Sequence, residues 1–233
     1  MTKKIYKASF YLREDNPEAE KWKLKIEEWL KNDYPEIEIS SVKPDVVIVL
    51  GGDGTIIEAC RKYSQSDTII LGVNLGRVGF ISSINNPEDF KEKLTKFLNG
   101  EYKLNPGMII QARVIRDGRS VFVTEAFNEV VVQSPLGMVE IEVGIDGDMV
   151  EEIRGTGVLV STPSGSTAYN LSAHGPIVTP DIECLIITEL FDHDLPTPSL
   201  VIPSKENIKL IIKSFREHKI LKLTSTNETV DVL

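Results

Sequence analysis

The stretch VVIVLGGDGT, residues 46–55, gives the clearest indication of how the first part of the chain folds. It begins with an unbroken apolar run, which predicts a strand buried on both faces. The glycines that follow predict a tight turn, and residues 55–63 then have the pattern of a helix. A buried strand that passes through glycines into a helix is typical of a parallel α/β sheet.

The same turn has two properties that point to phosphate chemistry. Its glycines let backbone N–H groups approach a phosphate, and the start of the following helix adds favourable positive potential. Asp53 would repel a polyphosphate unless it binds a metal or takes a proton from an attacking hydroxyl group. The turn therefore indicates phosphoryl transfer, and a tight turn without a ligand is the alternative.

Composition restricts the class of protein. A chain of 233 residues with 41% hydrophobic and 26% charged residues is long enough for one large or two small globular domains. Cys60 and Cys184 lie far apart without metal-type spacing, and there is no secretory leader pattern, so we expect a reduced, cytoplasmic protein. The net charge of −9 argues against nucleic acid, and no apolar stretch has the length of a membrane span.

The chain changes character near residue 104. Before that point strands and helices alternate, with helix starts at Asn16-Pro17 and Asn86-Pro87. After it, short strands are separated by turn pairs such as Asp117-Gly118, which favour antiparallel hairpins. We therefore expect an α/β domain at 1–104 and a β-rich domain at 105–233, with one short helix over 164–172 and a late strand at 220–223.

Three further segments carry polar groups that could form a binding site. The segment NLGRVGF, residues 74–80, follows a predicted strand and could also be a simple glycine-rich connector. Asn128 and Glu129 supply acceptors for a ribose diol, although such a pair is often a solvated strand end. Residues 161–169, STPSGSTAY, could cap a helix or offer small donors and an aromatic ring to a nucleotide base.

In this order and spacing, GGDGT, NLGRVGF, the Asn-Glu pair and VSTPSGSTAYNLSAHGP resemble the NAD kinase family. The resemblance runs from about Asp45 to Val178. It implies a Rossmann-like α/β N-terminal domain plus a β-rich C-terminal domain, a two-domain plan shared with diacylglycerol kinases. It also implies a homodimer or homotetramer in which a neighbouring subunit completes the site. The C-terminal tail could return to the first domain.

The resemblance implies an activity as well. The protein would phosphorylate the 2′-hydroxyl of the adenosine ribose of NAD, with ATP or inorganic polyphosphate as donor, to give NADP. Mg²⁺ would accompany the donor phosphates, NAD would be a substrate rather than a cofactor, and no metal ligand is assigned to the chain. Its partners would be these small molecules and copies of itself, without nucleic acid or membrane.

The resemblance assigns roles to individual residues. Asp53 would be catalytic, by orienting or deprotonating the ribose hydroxyl. The residues expected to bind the substrate or nucleotide are Gly52, Gly54, Thr55, Phe80, Asn128, Glu129, Arg154, Thr156, Ser164, Thr167, Ala168, Tyr169 and Ser172.

Two departures from the family pattern keep alternatives open. Thr156 stands where the family usually has an aspartate, which leaves affinity at the nicotinamide end in question. The acidic residues of the segment 191–195 could bind a cation, although a structural role is the simpler interpretation. The alternatives to an NAD kinase are a lipid or sphingoid-base kinase, and a non-catalytic NAD(P)-binding sensor. The acidic surface argues against the former and Asp53 against the latter.

Overall fold

The chain forms two compact units, Met1–Leu104 and Asn105–Leu233. The computed structural model describes residues 3–76, 79–134, 137–191, 197–215 and 229–232. Within that part of the chain, no helix is both long and apolar enough to cross a membrane. Cys60 and Cys184 are free thiols.

The first unit is a parallel sheet with helices on both faces. The central apolar run is buried on both sides, with one set of alternate residues facing α1 and α3 and the other set facing α2. Its elements are β1 (Lys7–Tyr11), α1 (Pro17–Asp33), β2 (Glu38–Ile39), β3 (Val46–Leu50), α2 (Asp53–Lys62), β4 (Ile69–Val73), a 3₁₀ turn (Pro87–Asp89) and α3 (Phe90–Leu98).

The start of α1 shows why the sequence signal for this helix is strong. The side chain of Asn16 accepts a hydrogen bond of 3.1 Å from the backbone N–H of Ala19, and proline occupies the first helical position. The buried face of the helix includes Trp22, Ile26 and Leu30. The helix start predicted at Asn16-Pro17 is therefore confirmed.

The order of strands in the first sheet, β2-β1-β3-β4, reverses direction between β1 and β3. The chain moves from β1 to β2 on one side and then returns to β3 on the other side of β1. All neighbouring strands are parallel, so the loops that follow β1, β3 and β4 leave from the same edge. Ligands of open α/β sheets bind at such a reversal point, beyond the carboxyl ends of the strands.

The second unit consists of two antiparallel sheets that pack on a shared core. Its elements are β5 (Ile110–Arg116), β6 (Arg119–Ala126), β7 (Glu129–Gln133), β8 (Val139–Ile145), β9 (Asp148–Gly155), β10 (Gly157–Ser161), a 3₁₀ turn (Ser164–Thr167), α4 (Tyr169–Ser172), β11 (Cys184–Leu190), β12 (Leu200–Pro203), β13 (Ile208–Phe215) and β14 (Thr229–Val232).

The two sheets of the second unit have six and four strands. The larger has the order β6-β5-β14-β13-β8-β9 and the smaller the order β12-β11-β10-β7. The predicted Asp-Gly hairpin turns are confirmed, since Asp117 and Gly118 have φ angles of 51° and 71°, as a two-residue turn with left-handed backbone requires.

The structure departs from the sequence-based expectations at several elements. Helix α2 begins at Asp53 rather than Thr55, so the aspartate belongs to its first turn. The single helix expected over 164–172 is wrong, because Ala168 takes a non-helical backbone (φ −98°, ψ −124°) that separates a 3₁₀ turn from α4. Strands β2 and β14 were not predicted.

The last described residues of the chain form a strand of the second unit. Residues 229–232 are β14, which pairs with β5 and β13. The strand expected at 220–223 lies outside the described residues, as do positions 192–195 of the acidic segment and positions 77–78 of NLGRVGF.

Candidate active site

Asp53 is held by the loop that follows the neighbouring strand. The backbone N–H of Phe80 donates a hydrogen bond of 2.9 Å to Asp53 Oδ2. The other carboxylate oxygen, Oδ1, is buried and has no hydrogen-bond partner. A buried acceptor without a donor is costly in free energy and rare in native proteins. Asp53 therefore keeps one oxygen available to a donor that is absent from the chain itself, such as a hydroxyl group.

Two glycines permit this arrangement. A Cβ on Gly79 would lie 2.6 Å from Asp53 Cγ and would overlap its Oδ1. A Cβ on Gly51 would lie 2.6 Å from Thr55 Oγ1. The segments GGDGT and NLGRVGF are thus in close contact, which brings two of the sequence-predicted motifs together at one edge of the sheet.

The remaining residues predicted in the first unit occupy different environments. Gly52 is the N-cap residue of α2 and has open space on its Cα, and Gly54 is exposed. Thr55 is buried and packs on Gly51, so its role in the described structure is to shape the turn. Phe80 is 80% exposed, with its backbone rather than its ring engaged with Asp53.

A second cluster of predicted residues forms in the second unit. Strands β7 and β10 are antiparallel neighbours, and Glu129 lies opposite Ser161. The backbone N–H of Thr162 donates a 2.8 Å hydrogen bond to the backbone oxygen of Asn128. A Cβ on Gly165 would lie 2.6 Å from the carbonyl carbon of Asn128. Pairing of these strands therefore brings the Asn-Glu pair onto the STPSGSTAY segment.

The Glu129 carboxylate resembles that of Asp53 in its bonding. Burial raises its pKa, and a hydrogen bond from the backbone N–H of Tyr169 opposes part of that rise. Its Oε2 is buried and without a hydrogen-bond partner in the structure. Glu129 thus offers an acceptor oxygen in a half-buried site beside Tyr169.

The predicted residues of the STPSGSTAY segment and its continuation occupy three backbone environments. Ser164 and Thr167 are the first and last residues of the 3₁₀ turn, and Ala168 is the non-helical residue after it. Tyr169 is 36% exposed at the start of α4, where its ring is accessible. Ser172 is exposed at the end of that helix.

Residues that sequence reasoning missed hold this segment in place. Thr162 is fully buried, and its hydroxyl donates to the backbone oxygen of Phe127 at 2.7 Å and accepts from the N–H of Gly165. Asn170 is also fully buried, and its Oδ1 accepts from the hydroxyl of Thr188 on β11 at 2.8 Å. Both residues lie in a stretch rich in small polar residues, so the sequence does not set them apart, and their partners are distant along the chain.

Thr156 and Arg154 have partners within the second unit. The hydroxyl of Thr156 donates to the backbone oxygen of Leu190 at 2.9 Å. Arg154 Nη2 lies 2.7 Å from Glu152 Oε1, and its Nε lies 3.8 Å from Glu140 Oε1. The guanidinium of Arg154 therefore interacts with carboxylates of the six-stranded sheet.

The described residues contain no group of three or more His, Cys, Asp or Glu side chains that could hold a metal ion. A magnesium ion that arrives with a nucleotide takes most of its ligands from phosphates and water, with one or two protein carboxylates.

Comparison with protein families gives two matches that together cover most of the chain. Residues 1–102 match the ATP-NAD kinase N-terminal domain, and residues 127–233 match the ATP-NAD kinase C-terminal domain. The chain is 37% identical over 197 residues to an NAD kinase from Lachnoclostridium phytofermentans, with 82% of this chain and 68% of that protein covered. The chain belongs to the NAD kinase family.

The match to these curated relatives covers only part of their length. An NAD kinase from Chromohalobacter salexigens is 36% identical over 187 residues, which are 78% of this chain and 64% of that protein. The chain thus spans about two thirds of the length of these relatives.

Solved structures of NAD(H) kinases share the two-domain fold of this chain. Yeast NADH kinase, crystallised with NADH, has a TM-score of 0.86 at 20% identity and covers 99% of this chain and 78% of its own. An NAD kinase from Archaeoglobus fulgidus in complex with ATP has a TM-score of 0.72 at 25% identity, covering 97% of this chain and 89% of its own.

Proposed function

We propose that this chain transfers a phosphoryl group from ATP or inorganic polyphosphate to the 2′-hydroxyl of the adenosine ribose of NAD, which gives NADP. The observation that carries the proposal is the carboxylate of Asp53, with one oxygen fixed by Phe80 N–H and the other buried without a partner. Membership of the NAD kinase family supports the choice of substrate.

The reaction would use Asp53 as a proton acceptor. The ribose 2′-oxygen attacks the terminal phosphorus, the new P–O bond forms, and the bond to the leaving diphosphate or polyphosphate oxygen breaks. The hydroxyl proton passes to Asp53 Oδ1, which is oriented because Oδ2 is already bonded. The backbone N–H groups at the start of α2 would face the phosphates. Mg²⁺, when bound to the donor, neutralises part of the phosphate charge.

The second unit would hold the NAD molecule. Glu129 Oε2 is a free acceptor for a ribose hydroxyl, and Asn128 precedes it on the same strand end. The partly exposed ring of Tyr169 offers an apolar face for the adenine base, next to Thr167 and Ala168. The other proposed contacts are Phe80, Arg154, Thr156, Ser164 and Ser172, together with Gly52, Gly54 and Thr55 for the donor.

We also propose a fold relationship, an assembly state and a location for this chain. The parallel sheet of the first unit supports a Rossmann-like domain related to that of diacylglycerol kinases. Edge strand β6 has half-exposed apolar side chains at Val121, Phe122 and Val123, which supports self-association into a dimer or tetramer. The two free thiols support a cytoplasmic location.

The test is NADP formation by the purified protein with NAD and Mg²⁺, in parallel with ATP, with polyphosphate and without donor. Asp53→Asn keeps the size of the side chain but removes the proton acceptor, so turnover should fall about 10²- to 10⁴-fold while NAD binding is retained. Asp33→Asn, at the exposed end of α1, is the matched control and should retain activity.

Two results would contradict the proposal. Near-normal turnover of the Asp53→Asn variant would remove this residue from the mechanism. Binding of NAD without NADP formation from any donor would favour the non-catalytic sensor.

A further inference from the structure

An arginine from outside the known motifs lies beside the GGDGT turn. Arg13 is two residues past the end of β1, and its Nε and Nη2 donate to the carboxylate of Glu58 on α2. The Nε–Oε2 distance is 3.4 Å. The side chains of the pair are 59% and 41% exposed, so water and solutes can reach both.

The position of Arg13 follows from the winding of the first sheet. Strands β1 and β3 are neighbours on either side of the reversal point, and their carboxyl ends lie at the same edge. Arg13 leaves from β1, and the GGDGT turn leaves from β3. The Nη2 of Arg13 lies 3.5 Å from the place where a Cβ on Gly54 would be. The guanidinium therefore lies directly against the exposed glycine of the turn.

The GGDGT turn lacks a cationic side chain of its own, and Arg13 supplies a positive charge beside it. Residues 51–55 contain one carboxylate and no lysine or arginine, although a phosphoryl donor carries several negative charges. Glu58 engages only the Nε and Nη2 edge of Arg13, and its Nη1 has no hydrogen-bond partner among the residues that the structure describes. An arginine has five N–H donors, so Nη1 gives an incoming phosphate a first point of contact while Glu58 is still bound.

A phosphate group can displace the Glu58 carboxylate from Arg13. Exposed pairs of this kind contribute little to stability, because water screens them and both side chains lose freedom. A phosphate group binds a guanidinium through two parallel charge-assisted hydrogen bonds, which are stronger than neutral ones. Contact with phosphate would also bring the guanidinium charge to the transferred group.

We propose that Arg13 binds the phosphates of the phosphoryl donor at the GGDGT turn, and that the donor replaces Glu58 as its partner. The role in catalysis rests on the proposed function, whereas the binding of a polyphosphate at this position does not. Arg13 is thus a donor-binding residue, and Glu58 is the carboxylate that holds it in the absence of the donor.

The test compares the full chain with Arg13→Gln, Arg13→Lys and the control Arg61→Gln, which removes an exposed arginine from the other end of α2. Calorimetry measures the binding of ATP with Mg²⁺ and of inorganic tripolyphosphate, and initial rates give KM for ATP and for NAD. We expect Arg13→Gln to weaken both polyphosphates about 10- to 100-fold, with an unchanged KM for NAD. Arg13→Lys should be intermediate, because it keeps the charge but loses the planar fork.

Glu58→Gln provides an independent test in the opposite direction. The variant removes the competing carboxylate and leaves Arg13 in place, so ATP should bind more tightly, by about two- to fivefold. Weaker binding of ATP by this variant would overturn the exchange of partners. Unchanged ATP and tripolyphosphate binding in Arg13→Gln would overturn the assignment of Arg13.

The two proposals fail in different ways. NADP formation with unaltered donor binding in Arg13→Gln would leave the kinase intact and refute the role of Arg13. Loss of polyphosphate binding in Arg13→Gln from a protein that makes no NADP would support the binding role and refute the kinase. A wild-type protein that binds neither ATP nor tripolyphosphate would refute both.

Discussion

The fold leaves the carboxylates of Asp53 and Glu129 incompletely hydrogen-bonded. Asp53 and Glu129 each have one oxygen bonded to a backbone N–H and one buried oxygen without a partner. Each such oxygen lowers the stability of the folded state, since it has lost water and gained nothing in return. Sites of this kind are expected where a substrate supplies the missing donor.

Replacement of Glu129 should show this cost directly. Because burial raises its pKa in the folded state, the folded protein holds the proton more tightly than the unfolded chain does. The ordinary pKa of a glutamate, which applies to the unfolded chain, is about 4. As the pH rises from that value through the raised pKa of the folded state, the contribution of Glu129 to stability falls. Glu129→Gln should then raise Tm at pH 7, and this gain should shrink as the pH is lowered toward 4.

Calorimetric Tm values across that pH range check the prediction, with Glu28→Gln on the exposed face of α1 as the control. NAD affinity should fall in the Glu129 variant, since the acceptor for the ribose is lost. A Tm at pH 7 below that of the wild type would mean that Oε2 has a stabilising partner in solution.

At the scale of elements, the loop after β4 determines where Asp53 points. Gly79 lies against the carboxylate, so Gly79→Ala must displace Asp53 or the loop. A displacement near 1 Å in a catalytic group can lower turnover about 10²-fold, and we expect a loss of at least that size. Turnover and NAD affinity should be measured together, because only turnover should change.

The same loop supplies the control for this prediction. A Cβ on Gly76 would lie 3.9 Å from Asn74 Oδ1, which is an ordinary contact, so Gly76→Ala should retain its activity. Equal losses in both variants would show that the loop tolerates no added methyl group anywhere. That result would remove the specific link between Gly79 and Asp53.

Local elements were predictable from sequence because their signals are local. The cap at Asn16, the Asp-Gly turns and the buried strand β3 depend on neighbouring residues and on apolar pattern. The break at Ala168 was not predictable in this way. It depends on contacts of the buried residues around it, such as Ser166, whose hydroxyl bonds to the backbone of Val178.

The site itself was only partly predictable, because contacts between distant parts of the chain also determine it. GGDGT and the Asn-Glu pair stand out as residues, but their neighbours are set by strand order and register. Pairing of β7 with β10 places Glu129 opposite Ser161, and winding of the first sheet places Arg13 beside Gly54. Neither contact has a signal in the spacing of the residues along the chain.

At the scale of the whole molecule, each unit has its own hydrophobic core. Ile26 is fully buried in the core of the first unit, and Leu24, on the same helix, is 63% exposed. Ile26→Ala should lower the stability of the first unit by about 2–5 kcal/mol, through lost burial and a residual cavity. Leu24→Ala should change it by about 0.5 kcal/mol or less.

Native-state hydrogen exchange can locate the effect of Ile26→Ala. Backbone amides of β1 and β3 should exchange faster, whereas those of β8 and β13 should keep their wild-type rates. Faster exchange in both sets would mean that the two cores are lost in a single cooperative opening.

The place of β14 in its sheet has a consequence for biosynthesis. Residues 229–232 fill the gap between β5 and β13, yet the ribosome makes both of those strands, and every other strand of the sheet, before them. Until these residues emerge, the nascent chain exposes two unpaired strand edges, the kind of surface that invites pairing with other chains. The second unit must therefore complete its folding late, and it is during this interval that a chaperone would have most to protect.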